Sequence, residues 1–196
     1  MEQLKFDEIN ALPEGKEKVK NAEATVKEIR KRRQKMFDDL DEFIHEWLIL
    51  YGTEGMNEAV KDEIIKFYVD GFVTSTMDGR ELPDPYEFLD KEYPEGKTSL
   101  GILDERISEG NEAEIRKAVE SEANRMWNEG ALQSGAKYKT WQTMNDTKVR
   151  EAHSVLEGVK IPLNDKFYTF GDEALAPGGF ELAENNANCR CWLSVE

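Results

Sequence analysis

From Val19 to Leu50 the apolar residues Val19, Ala22, Val26, Ile29, Met36, Leu40, Phe43, Trp47 and Leu50 recur at alternating steps of three and four, with Arg33 in the same series. Steps averaging 3.5 define the seam of a supercoiled helix pair or bundle, and the residues between are mostly charged. One helix of about 32 residues, about 48 Å long, is predicted. Arg33 reads either as a register device or as a side chain that snorkels from a loose end of the packing, and the second is the default. A stripe of this length needs a partner helix from its own chain or another. Val26, Ile29, Arg33, Met36, Leu40, Phe43 and Trp47 are therefore the candidate partner-binding residues.

The run Tyr51-Gly52-Thr53-Glu54-Gly55 predicts a helix stop, after which Val60, Ile64, Phe67, Tyr68 and Phe72 resume the helical period and complete a hairpin. Residues 76–99, with Asp78-Gly79, Pro83-Asp84-Pro85 and Pro94-Glu95-Gly96, read as turns around one short helical piece near Tyr86 to Leu89. From Asn111 to about Gln133 a further helix is predicted, its apolar side formed by Val119, Ala123, Met126, Trp127 and Ala131 and its end marked by Gly135. The texture then changes to short alternating runs at Lys137–Thr143, Val159–Leu163 and Cys189–Val195, read as a small antiparallel sheet with a helical turn around Val149–Leu156. The expected fold class is α+β: an elongated helical N-terminal part, a helical arm or hairpin over residues 1–99, then a small C-terminal domain over 100–196 with a helix packed on a short antiparallel sheet.

Charge narrows the partners. The chain has 196 residues and a net charge of -15, and the stretch from 51 to 110 holds 6 basic against 15 acidic residues. That field repels phosphate backbones, so tight non-specific nucleic-acid binding is not expected, and basic partner surfaces suit it better. No run approaches the roughly 18 apolar residues that would span a bilayer, so no membrane partner is expected. Met1 to Phe6 lacks a basic region followed by an apolar run, and the expected place is a cytoplasm or something assembled there. No glycine-rich turn precedes a basic helix start, since Gly178-Gly179 lie in an acidic loop, and nucleotide chemistry is not indicated.

The rare chemistry is concentrated near the end. Both cysteines, Cys189 and Cys191, and one of the two histidines, His153, fall in the last third. In a strand Cys189, Cys191, Leu193 and Val195 share a face, so the simplest reading makes the thiols small core residues. The sharper reading is a zinc site in which Asp146, His153, Cys189 and Cys191 supply four donors, although paired metal-binding cysteines are usually separated by two or more residues. A redox-active thiol pair is the third reading. Asp146 also reads as a helix N-cap for the turn after it, Arg150 and Glu122 as a buried ion pair, and Trp127 and Trp141 as core. No cofactor is expected by default, and zinc is the candidate metal.

The ordered set Glu122, Asn128-Glu129-Gly130-Ala131, Lys137-Tyr138-Lys139-Thr140-Trp141, Asp146, Val149-Arg150, His153, Leu156-Glu157-Gly158, Phe167 and Asn188-Cys189-Arg190-Cys191 resembles the C-terminal domain of phage minor head proteins, the Mu F-like family. The resemblance covers about residues 110–196. It implies a non-enzymatic head-morphogenesis protein of a tailed bacteriophage or prophage, made in the host cytoplasm and carried in the virion. Its implied partners are the portal protein and other head proteins, its implied role is head assembly and DNA delivery, and self-association through the N-terminal helix is an additional expectation. Two other classes stay open: a toxin-like or other enzymatic effector using His153, Glu122 and the cysteines, and a small zinc-binding interaction module.

Overall fold

A computed structural model describes residues 22–75, 80–90, 96 and 98–196 of the chain. Val19 of the predicted seam and the turn residues Asp78, Gly79, Pro94 and Glu95 lie outside them.

The seam becomes one helix, α1, Ala22–Tyr51. Its buried residues are Arg33, Phe37, Leu40 and Ile44, while Val26, Ile29, Met36, Phe43 and Trp47 are half-buried against the same core. Phe37 and Ile44 thus lie deeper than their neighbours Met36 and Phe43, because a helix laid across other helices buries a wider stripe than a two-helix seam does. Leu50, the last predicted seam position, is 69% exposed, with Ile49 and Tyr51 also in solvent. The snorkelling expected of Arg33 is corrected: its side chain is fully buried, with the guanidinium 4.3 Å from the centre of the Trp127 ring.

After the turn at Gly52–Gly55 comes α2, Met56–Ser75, which buries Val60, Ile64, Phe67, Tyr68 and Phe72 as predicted. The short α3, Tyr86–Leu89, forms where one helical turn is expected. A helix not predicted, α4, spans Ser99–Glu109; the Thr98 side chain accepts from the amide of Gly101 at its start and Gly110 closes it in the left-handed conformation. Helix α5, Glu112–Leu132, begins at Asn111, whose side chain accepts from the amides of Ala113 and Glu114. Val119, Ala123, Met126, Trp127 and Ala131 on its apolar side are all fully buried.

The helices α2 and α5 meet backbone to backbone. A Cβ at Gly71 would stand 2.1 Å from the carbonyl oxygen of Trp127, and one at Gly130 would stand 2.1 Å from that of Tyr68. Only glycine fits a crossing this close, since each missing side chain leaves room for the other helix's main chain. The first core is built on this crossing and runs from Phe37 of α1 through α2, α4 and α5 to Trp192 near the chain end.

Beyond α5 the predicted sheet forms. Strand β1, Tyr138–Gln142, is central; it pairs antiparallel with β2, Lys160–Pro162, on one side and with the last strand, Trp192–Val195, on the other. Trp141 stands opposite Leu193 in that register. The helical turn between the first two strands is α6, Glu151–Ser154. A hairpin of β3, Phe167–Thr169, and β4, Asp172–Ala174, and a one-turn helix α7, Ala183–Asn186, were not predicted, and they complete the unit before the final strand, β5. A second, smaller core gathers here from Ala131, Trp141, Leu156, Phe167, Phe180, Cys189, Cys191 and Leu193. Among the described residues no helix is long and apolar enough to cross a membrane.

Candidate functional site

The site is built from α5 outward. Asn124 and Asn128 are one helical turn apart on a face otherwise made of Ala123, Trp127 and Ala131, and both are fully buried. Their amides do not go unused. Asn124 Nδ2 donates to the carbonyl of Cys191 at 3.1 Å, Asn128 Nδ2 reaches the same carbonyl at 3.3 Å, and Asn128 Oδ1 accepts from the amide of Leu193 at 2.9 Å. Asn128 also donates to the carbonyls of Asn124 and Pro177. These bonds clamp the segment entering β5 onto the helix, so the position of the two cysteines is fixed from α5 and not by sheet pairing.

The strand itself begins only at Trp192, so Cys189 and Cys191 lie in the irregular segment leading to it, not in a ladder as predicted. Asn188 before them is left-handed at φ 54°, which asparagine tolerates, and its amide donates to Ser121 Oγ on α5. Both thiols are free, buried, and turned into the second core together with Leu193, while Trp192 between them and Leu193 enters the first. Against them stands His153 of α6, 1% exposed, with Nδ1 3.5 Å from Cys189 Sγ and 3.6 Å from Cys191 Sγ. Phe180 stacks on its ring and Trp141 meets it edge-on, each with centroids 5.5 Å away. The three ligand-type atoms lie within 4.8 Å of one another, beside a groove lined by Met144, Lys148, Val149, Arg150 and Arg190.

The electrostatics favour one thiolate. A hydrogen bond from Cys191, followed by His153, holds the Cys189 thiol well below the usual range against the opposing effect of burial, and Cys191 is pushed up in turn. Behind them burial lowers Arg33 to about 9, its Nε and Nη1 have no hydrogen-bond partner among the described residues, and the charges that favour its cationic form are the two sulfurs. Its remaining nitrogen donates to Asn124 Oδ1, so the buried cation touches the clamp that holds Cys191.

The other predicted residues take other places. Asp146 does not belong to the three-atom group: one carboxylate oxygen pairs with Arg190 and the other accepts from the amide of Lys148 at 3.0 Å. Nor does it cap α6, whose N-cap position is Arg150. Glu122 and Arg150 form no pair with each other. Glu122 accepts from Arg125, one turn along α5, and Arg150 donates to the carbonyl of Ala187, because both partners are nearer than the groups across the sheet. Trp127 and Trp141 are fully buried, as the core reading predicts. Of the seam, Arg33 and Leu40 are consumed inside the chain, and Val26, Ile29, Met36, Phe43 and Trp47 pack against its core.

Sequence reasoning passed over Asn124 and Asp172, and it placed Asn128 only within the family resemblance, with no role. The signal for the asparagines was present, two amides repeated at four residues on an apolar helix face; Asp172, in a strand of three residues, gave none. Its buried carboxylate accepts from the amides of Glu173, Glu181 and Leu182 and from Asn185 Nδ2, tying β4 to the loop that leads to α7.

Residues 102–194, from within α4 to β5, match the family described as Phage Mu protein F like protein. The matched stretch coincides with the one over which the residues themselves resemble that family. Among known proteins the chain is similar to minor head protein GP7 of Bacillus phage SPP1, with 36% identity over 56 residues, a stretch that is 28% of this chain and 18% of that protein. No solved structure matches.

Proposed function

We propose that the chain is a structural minor head protein of a tailed bacteriophage or prophage that attaches at the portal vertex, supports head assembly and assists DNA delivery. The observation that carries this reading is the family match over residues 102–194, joined by the similarity to a protein named for its place in a phage head. The geometry suits a structural part: the Cys-bearing segment and the strand after it are locked to α5 by buried amides, and the helical core gives them a mount. Glu122, which an enzymatic reading would use, is engaged by Arg125 and lies outside the His153 group. Contacts with other head proteins run through the seam helix, where the half-buried stripe from Val26 to Trp47 continues into Ile49, Leu50 and Tyr51, each more than half exposed. The same end of α1 serves for self-association in the assembled head. The protein is made in the host cytoplasm and retained in the particle.

Mass spectrometry of purified proheads and virions tests this, combined with cross-linking of the particles. The expected result is a low-abundance virion protein cross-linked to portal subunits. A protein abundant in the lysate and absent from proheads and virions would overturn it.

A further inference from the structure

We infer that Cys189 Sγ, Cys191 Sγ and His153 Nδ1 form a zinc-binding site with an open fourth position facing the groove between α6 and the Asn188–Cys191 segment. Zinc binds thiolate sulfur at about 2.3 Å and imidazole nitrogen at about 2.0–2.1 Å in tetrahedral geometry, which places a ligating sulfur and nitrogen about 3.6 Å apart. Both Nδ1-to-sulfur separations, 3.5 and 3.6 Å, fall there. A single N–H cannot point along two such lines at once, so a hydrogen bond from histidine accounts for one of the contacts and a shared ion accounts for both.

The spacing objection also lapses in three dimensions. One intervening residue separates the cysteines, yet both sulfurs lie within 3.6 Å of the same imidazole nitrogen, so both reach one point. His153 Nε2 has no partner among the described residues, so in the metal-bound state it can carry the ring proton while Nδ1, already turned to both sulfurs, gives up its own. Nδ1 then presents its lone pair to the ion. The donor set of two sulfurs and one imidazole is soft and selects zinc over magnesium or calcium. On binding, two Zn–S bonds and one Zn–N bond form, the two protons shared among the two thiols and His153 Nδ1 leave to solvent, and no electron is transferred. Asp146 stays on Arg190 and is not the fourth ligand; water fills that position from the groove.

The site is tested on the full chain, expressed in zinc-replete medium and purified reduced without chelator. Elemental analysis is expected to give about one zinc per chain, and titration of the stripped chain with cobalt(II) alone is expected to give a sulfur-to-cobalt charge-transfer band that saturates at about one equivalent. Less than about a tenth of an equivalent of zinc in the wild-type chain, together with no such band on titration, overturns the proposal whatever the variants do. Cys189→Ser with Cys191→Ser is expected to abolish the band, and His153→Ala to weaken cobalt binding about tenfold or more while leaving the band in place. Unchanged affinity in His153→Ala would overturn the assignment of Nδ1. These outcomes are independent of particle incorporation, so the failure of this inference and of the proposed function are separately visible.

Discussion

The two cores of the molecule are held by different means. The first is a helix assembly closed by shape: α2 and α5 touch main chain to main chain at Gly71 and Gly130, with Val60, Ile64, Tyr68, Val119, Ala123 and Trp127 fully buried around the crossing. The second has no long element. Its strands run three to five residues, and its fixed points are side chains bonded to distant backbone, such as Asn128 to Leu193 and Asp172 to Glu181 and Leu182. Helices satisfy their own backbone, so their packing is decided by volume; short irregular segments do not, and their position depends on individual polar partners. The first core should therefore break on a methyl group, and the second on an amide.

The largest effect is expected at the crossing. Gly130→Ala and Gly71→Ala each place a carbon 2.1 Å from a backbone oxygen that cannot move alone, so the helices must separate along their contact. Overpacking of this kind costs about 3 kcal/mol or more, above the usual range because backbone is displaced. Either variant should show a large fall in the urea midpoint, and a midpoint within error of wild type would show that the crossing is looser than described.

Asn128→Ala comes next. It adds no volume, yet it strips the amide of Leu193 of its acceptor and removes the donor shared by the carbonyls of Asn124, Pro177 and Cys191. Leaving buried backbone groups unpaired costs about 1–3 kcal/mol. The loss should be concentrated at the terminal strand, read as faster hydrogen exchange at Leu193 than at helical positions such as Val119. Uniform exchange across both would deny the two cores their separate fastenings.

This contrast also explains what the sequence disclosed. The 3.6-residue period is a property of one segment, so α1, α2 and α5 were readable, and β1, β2 and β5 emerged from alternation over longer runs than the strands themselves occupy. The hairpin from Phe167 to Ala174 was not, since three-residue strands are too short to display a period. Helix α4 is not legible although Thr98 and Gly110 mark its ends, because its buried positions Leu103 and Ile107 are too few to display a period within a turn-rich, acidic stretch. Within the site, residue type alone picked out His153, Cys189 and Cys191, whereas the exclusion of Asp146 depends on Arg190 lying within reach, a fact of the folded chain only. Arg33 was misjudged for a similar reason: nothing local announces that an arginine will be roofed by a tryptophan 94 positions away.

Asp172→Asn probes the second core more gently. Burial opposes the charge on Asp172, but the hydrogen bond from Asn185 and those from three backbone amides outweigh it and hold the carboxyl below its ordinary value of 3.8. A group depressed in the folded state contributes stability above its unfolded pKa and loses it as pH falls through the folded value. The wild-type chain should lose part of its stability below about pH 4, and Asp172→Asn should be weaker by about 2 kcal/mol at neutral pH and flatter in the acid range. Equal acid sensitivity in both would place the relevant carboxylate elsewhere.

At Lys139 stability also rises with pH, but from the opposite cause, a charged form that the fold disfavours. The lysine side chain lies on the same face of β1 as Trp141, the ammonium 5.4 Å from the centre of the Phe167 ring and donating to the carbonyl of Leu175 at 2.7 Å. Burial lowers its pKa from 10.5 to about 8. Between those values the unfolded chain binds the proton more firmly than the folded one, so folding stability rises with pH across this window and the full penalty of the buried charge is felt below it. Arg33 and the cysteines also respond in alkali, which is why the difference between wild type and Lys139→Met is the useful quantity. That difference should move steadily in favour of wild type from about pH 8 to 10. A constant difference would mean that the ammonium keeps its proton throughout, with the Leu175 carbonyl and the Phe167 face compensating its burial in full.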